Sequence, residues 1–286
     1  MQQTIVSVRQ HEDFARVYNL PDPRSYYRAL QPLDYRLPDI TCGYLESHAA
    51  AIAAFRGKER LRLLDFACGY APNGALLKHE LSLAALYAFY AENTPMDAAG
   101  DPIALDRPFF AARRRDSTPF EVGGLDIADR ALRYAQDCGL LDRAFAQDLT
   151  AAEPDADLRA FVAETDIVVE TGGHAPMFAV SFAKLLDGDA TPWFLYCLRG
   201  DVDDRPLNVM FAERGYRIEA CSPAPFRYRK LMNERERARV VSAAQELGRD
   251  PNEHFRDGYF LNPLLLARPE ADAADLPIAE IMLADS

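Results

Sequence analysis

Four carboxylates in this chain stand where an apolar run gives way to a turn. They are Asp65 in LLDFACGYAPNG, Asp126 in GLDIADRALRYA, Asp148 in FAQDL and Glu170 in DIVVETGGHAP. Asp65 is followed by Ala67, Cys68 and Gly69, small residues that let a ligand approach the backbone closely, although an ordinary tight turn has the same composition. An acid in the position of Asp126 can accept hydrogen bonds from both hydroxyls of a ribose, with Leu125 and Ile127 beside it to pack on a purine. It can equally cap the helix that follows, or do both. Asp148 can accept from the exocyclic amine of adenine, or serve as a loop acid. The Glu170 run ends in Gly172-Gly173 and then His174, at the mouth where a substrate would lie. An imidazole titrates near neutrality and suits a general base, with a loop histidine bonded to backbone as the plainer alternative.

These residues need a frame that brings strand ends together. From position 61 onward, short apolar strands alternate with helices, the pattern that builds a parallel sheet. The strand candidates are 62–67, 120–127, 142–149, 165–172, 192–199, 216–222 and 260–269, with helices between them, the first over 74–92. Glycines at Cys138-Gly139 and Arg214-Gly215 end two of those helices. The expected fold is α/β, a doubly wound, Rossmann-like seven-stranded sheet, whose ligands sit at the carboxyl ends of the strands. Residues 1–60 read as an N-terminal cap holding an amphipathic helix over 40–55, and residues 61–286 as the core. Two insertions interrupt the core: 92–119, which reads as a long loop, and 224–257, which reads as largely helical before the last strand. The arginines of the second insertion suit either an anionic substrate group or, with Glu234 and Glu236 interleaved, a solvated face of local ion pairs.

Composition narrows the classes. A chain of 286 residues, nearly half apolar, can bury a full core. Its net charge of −12 argues against a sequence-independent grip on nucleic acid. Five dispersed cysteines without a CxxC pair suggest free thiols, a reducing compartment and no metal site. No apolar run approaches the ~20 residues needed to cross a bilayer, and the N-terminus lacks a secretory signal. The expectation is a cytoplasmic protein without membrane or nucleic-acid partners; the pattern assigns no oligomeric state.

Taken together, the strand-end acids and the small-residue turn resemble the class I S-adenosylmethionine (SAM)-dependent methyltransferases, over roughly residues 60–222. The stretch DPRSYYRALQPLDYRLPD is similar to a motif of a bacterial branch of that class without a settled substrate. The resemblance implies SAM as cofactor, with Asp65, Ala67, Cys68 and Gly69 along its methionine part. Asp126 would hold the ribose with Ile127 against the adenine, and Asp148 and Leu149 would border the adenine. Residues 170–172, Thr171 among them, would lie where methyl and substrate meet. Glu170 would then contact the SAM amino group or act as base beside His174. Tyr26, Tyr27 and Tyr35 of the cap would close over SAM or pack on the substrate, or simply fill the interface between cap and core.

The turn departs from the family in carrying Ala67 and Ala71 where glycines are commoner. An NAD enzyme would want GxGxxG and an acid about 20 residues on, which CGYAPNG and the distant Asp126 do not supply. The function implied is methyl transfer to a small-molecule acceptor. The alternatives are SAM chemistry other than methyl transfer, such as cyclisation, and a SAM-binding partner protein without catalysis. A nucleic-acid methyltransferase is disfavoured by the charge and by the lack of an Asn-Pro-Pro-Tyr motif after the fourth strand.

Overall fold

The computed structural model describes residues 17–92, 100–172 and 177–282. In chain order the elements are α1 (Arg24–Leu30), α2 (Leu37–Arg56), β1 (Leu61–Phe66), α3 (Pro72–Lys78), α4 (Leu83–Glu92) and α5 (Pro102–Ala111). Next come β2 (Phe120–Asp126), α6 (Asp129–Asp137), β3 (Arg143–Ala146), α7 (Ala156–Val162), β4 (Ile167–Glu170), α8 (Phe178–Leu185) and β5 (Trp193–Cys197). The last third holds α9 (Arg205–Glu213), β6 (Tyr216–Ala220), β7 (Phe226–Lys230), α10 (Glu234–Glu246), α11 (Pro251–His254), β8 (Phe255–Arg256), β9 (Tyr259–Asn262), β10 (Leu264–Pro269) and α12 (Glu270–Asp275).

Seven strands form one sheet in the order β3-β2-β1-β4-β5-β10-β6. The pairs from β3 to β5 are parallel, and β10 runs antiparallel to both β5 and β6. Successive side chains of the inner strands go to opposite faces. Leu61 and Leu63 join an apolar cluster with α2 and the aromatic residues of the cap. Leu64 and Phe66 join a second cluster with Phe178 and Phe182 of α8 and Phe211 of α9. Both faces are covered, which is why these strands read as almost unbroken apolar runs. The strand order reverses between β1 and β4, the switch point where a doubly wound sheet opens a crevice for ligand.

Three stretches differ from the sequence expectation. Insertion 92–119 is not all loop: α5 starts on Pro102 and is capped by Asp101, whose carboxylate accepts from the Ile103 amide. The helix read over 74–92 breaks in two, because His79 is extended and Ser82 caps the second piece by accepting from Ala85 N at 3.2 Å. The run 260–269 is two strands. Pro263 lacks the amide a ladder needs, so the chain changes sheets there. β9 belongs to a small sheet ordered β7-β9-β8, and insertion 224–257 therefore supplies strands as well as the expected helix α10. Arg229 lies on β7 and is buried against Glu236 at 2.7 Å, so it is part of that insertion's core and not of a solvated helix face.

The cap packs into the same apolar cluster as the sheet. Its buried Arg24 forms a two-pronged ion pair with Asp106 of α5, at 2.6 and 3.1 Å, and Tyr134 of α6 donates to Asp106 at 2.6 Å. Among the described residues no helix is long and apolar enough to cross a membrane, and no group of three or more His, Cys, Asp or Glu is placed to hold a metal ion. All five cysteines are buried free thiols.

Candidate active site at the strand ends

The turn after β1 is an unusual piece of backbone. Ala67, Gly69 and Ala71 all have left-handed φ values, +56°, +53° and +51°. An alanine there costs about 1–2 kcal/mol in sterics, so two of them in one turn mark a conformation fixed from outside. The fixing contacts come from β2. Leu125 O accepts from Ala67 N at 2.8 Å, and Asp126 Oδ2 accepts from Gly69 N at 2.8 Å. Gly124 must lack a side chain, because a Cβ there would lie 2.8 Å from Cys68 Sγ and 2.5 Å from Leu141.

Asp126 also bonds to the backbone ahead of α6. Its second oxygen accepts from Ala128 N at 2.9 Å, ordering the start of α6. Beside it Ile127 is 60 % exposed, a large apolar side chain held out at a strand end.

Asp65 is fully buried under the turn. Its Oδ1 accepts from Asn73 Nδ2 at 2.8 Å, while Oδ2 has no hydrogen-bond partner among the described residues. Burial, only partly offset by the Asn73 bond and reinforced by Asp126 and Glu170, pushes its carboxyl up to about 8. Asn73 Nδ2 also donates to Thr171 Oγ1 at 2.9 Å, tying the ends of β1 and β4 together.

From the cap, Tyr35 donates to the Thr171 carbonyl at 2.5 Å and lies against Gly172, where a Cβ would be 3.1 Å from the phenol oxygen. Burial pushes the Tyr35 hydroxyl well above its ordinary range, and the neighbouring phenols of Tyr18 and Tyr228 and the Glu170 carboxyl add to the shift. Tyr18 covers Gly69 at 3.4 Å from a would-be Cβ, and Tyr26 packs edge-on against Tyr18. Tyr27 turns away, its ring stacked on Tyr90 at 4.3 Å. Glu170 is buried at the end of β4.

The structure thus gathers Asp65, Ala67, Cys68, Gly69, Asp126, Thr171, Glu170, Tyr26 and Tyr35 about the switch point. Asp148 is exposed after β3, where Thr150 donates to its Oδ1 from both amide and hydroxyl and holds the carboxyl below its ordinary range. Leu149 is buried in the second apolar cluster. His174 lies outside the described residues. Sequence reasoning passed over Tyr18, Asn73 and Tyr228. Of these, Asn73 had a local signal, as the polar residue in an otherwise small and apolar turn, and Tyr228 alternates with arginines in FRYRK.

No family model and no curated protein matches the chain. Among solved structures it is similar to the TehB-like SAM-dependent methyltransferase from Corynebacterium glutamicum, at 15% identity and a TM-score of 0.37 over 81% of this chain and 97% of that one. It is similar to the plantazolicin methyltransferase BpumL in complex with SAH, at 10% identity and 0.35 over 80% and 84%. It is also similar to the YcgJ protein of Bacillus subtilis, at 11% identity and 0.37 over 78% and 98%. The chain has a Rossmann-like α/β fold.

Proposed function

We propose that the chain is a class I SAM-dependent methyltransferase acting on a small-molecule acceptor. The observation that carries this reading is Asp126 at the end of β2, bonded to the Gly69 amide of the turn after β1, with Ile127 exposed beside it. That arrangement suits a nucleoside, with hydroxyls on the acid and a base on the apolar side chain. Asp65 discriminates among nucleoside ligands. Ionised beside a cation, this buried carboxyl with its unmatched oxygen accepts an ammonium and disfavours a pyrophosphate, which favours SAM over NAD.

When bound, SAM supplies a methyl group activated on a sulfonium. Asp126 and Ile127 hold the adenosyl end, and the Ala67-Cys68-Gly69 turn and Asp65 line the methionine end. Tyr35 from the cap and Tyr228 from the small sheet, their rings 6.0 Å apart, keep water from the crevice. Such cover suits a small acceptor, because holding acceptor and donor in line supplies much of the rate. Where the acceptor must lose a proton, Glu170 and His174 are the candidate bases.

Isothermal titration with SAM, S-adenosylhomocysteine and NAD tests the reading on the wild-type chain and Asp126→Ala. Micromolar binding of both adenosyl ligands, weakened about tenfold or more in the variant and with NAD inert, is the expected result. Preference for NAD, or no adenosyl binding at all, would overturn it.

A further inference from the structure

We propose that Asn73 is a positioning residue, whose side-chain amide fixes Asp65 so that its second oxygen meets the cationic amino end of the bound cofactor. The inference rests on the SAM reading of the crevice and extends it to a residue outside the strand-end acids.

Asn73 is fully buried on α3. Its Nδ2 donates twice, to Asp65 Oδ1 at 2.8 Å and to Thr171 Oγ1 at 2.9 Å. Its carbonyl faces the Thr41 hydroxyl of α2 at 3.4 Å, and that hydroxyl also donates to Leu37 O at 3.0 Å. Both amide hydrogens are therefore committed to acceptors at the ends of two neighbouring strands, and turning the amide over would set its carbonyl against the Asp65 carboxyl. With Oδ1 held in this way, Oδ2 is the oxygen left for a ligand, and it is buried without a partner among the described residues. An unmatched buried acceptor is expensive, so a bound donor relieves it.

The groups facing Asp65 sharpen the argument. Asp126 comes from β2 and Glu170 from β4, while the thiols of Cys68 in the turn and Cys42 on α2 are pushed up by burial and by Asp65 itself. None of these four favours an ionised Asp65; the Asn73 amide does. A ligand ammonium would add to that support, and the carboxylate formed would bind it in turn.

The test uses the full chain, the variants Asn73→Ala and Asn73→Asp, and two probes. S-adenosylhomocysteine carries the amino-acid end, and 5′-methylthioadenosine lacks it. The aspartate variant is isosteric and puts an acceptor where the donor was, so it keeps the packing if the alanine variant fails to fold. Calorimetry from pH 6 to 9 should show S-adenosylhomocysteine affinity reduced about tenfold or more at pH 7 in both variants, with methylthioadenosine affinity within about twofold of wild type. In the ligand-free chain, carbon NMR of the Asp65 carboxyl, assigned with Asp65→Asn, should find a titration near 8 that moves upward in Asn73→Ala. The pH midpoint for S-adenosylhomocysteine binding should move with it. Parallel loss of both probes, or an Asp65 titration indifferent to Asn73, would overturn the proposal. Wild-type chain that binds neither probe would overturn the SAM reading and the ligand half of this one, with the NMR arm still deciding whether Asn73 governs Asp65.

Discussion

At the scale of single residues, the crevice concentrates cost. Asp65 illustrates it: an isolated carboxyl titrates near 3.8, whereas burial raises this one to about 8. Between those two values the folded chain keeps a proton that the unfolded chain has released. Folding is then favoured below pH 4 by this group, and the contribution is lost as pH rises toward 8. Each pH unit in the window can cost up to about 1.4 kcal/mol. Asp65→Asn keeps the acceptor for Asn73 and removes the titration. Urea unfolding at intervals from pH 5 to 9 should therefore show the variant gaining on wild type as pH rises and the difference levelling off above about 8. Two parallel curves would mean that Asp65 does not titrate in that window. A binding site that lowers the stability of its own protein at neutral pH is the expected price of presenting an unmatched acceptor.

At the scale of elements, the seating of α3 depends on a glycine used for space and not for conformation. A Cβ on Gly74 would sit 2.3 Å from the Leu140 carbonyl oxygen, and backbone on that side is held by β3 and α6. Gly74→Ala should cost about 1–3 kcal/mol, as overpacking does. Gly43 in α2 has nothing within 4 Å of a would-be Cβ, so Gly43→Ala should stabilise by about 0.5–1 kcal/mol through helix propensity. Opposite signs from one chemical change, read as shifts in the urea midpoint, check the packing of α3 against the loop before β3.

This scale also explains what could be read in advance. The seven strands of the main sheet were legible because β1, β2, β4 and β5 are buried on both faces and spell apolar runs. The acids at their ends stood out as polar stops. The small sheet was not legible, because FRYRK is not an apolar run and its partner YFLN lies beyond 28 residues of intervening chain. The split at Pro263 was written in the sequence and was overlooked within an otherwise convincing strand. Asn73 carries its meaning only through Asp65 and Thr171, which lie at the ends of two strands that the fold makes neighbours.

At the scale of the whole molecule, the question is whether cap and sheet unfold as one body. Arg24 of the cap and Asp106 of α5 are both fully buried, and Tyr134 and Tyr90 extend the polar chain into the core with a hydroxyl–hydroxyl contact of 2.8 Å. Removing one partner of a buried pair strands the other, which costs about 3–5 kcal/mol, whereas replacing both with apolar residues of similar volume can be neutral. Arg24→Met should destabilise by that amount, and Arg24→Met with Asp106→Leu should recover most of it. The single tryptophan, Trp193 on β5, reports on the sheet and on its contact with α2. It is coupled to the cap through α2, with the Phe55 ring 5.6 Å from its own and the Arg56 guanidinium 5.0 Å above it. If the common apolar cluster makes the chain one cooperative unit, urea curves by Trp193 fluorescence and by far-ultraviolet circular dichroism coincide in the wild type and move together in Arg24→Met. A dichroism transition that comes early in the variant, with the tryptophan transition left in place, would instead make the part of the cap ahead of α2 a separate unit that can open over the crevice while α2 and the sheet stay folded.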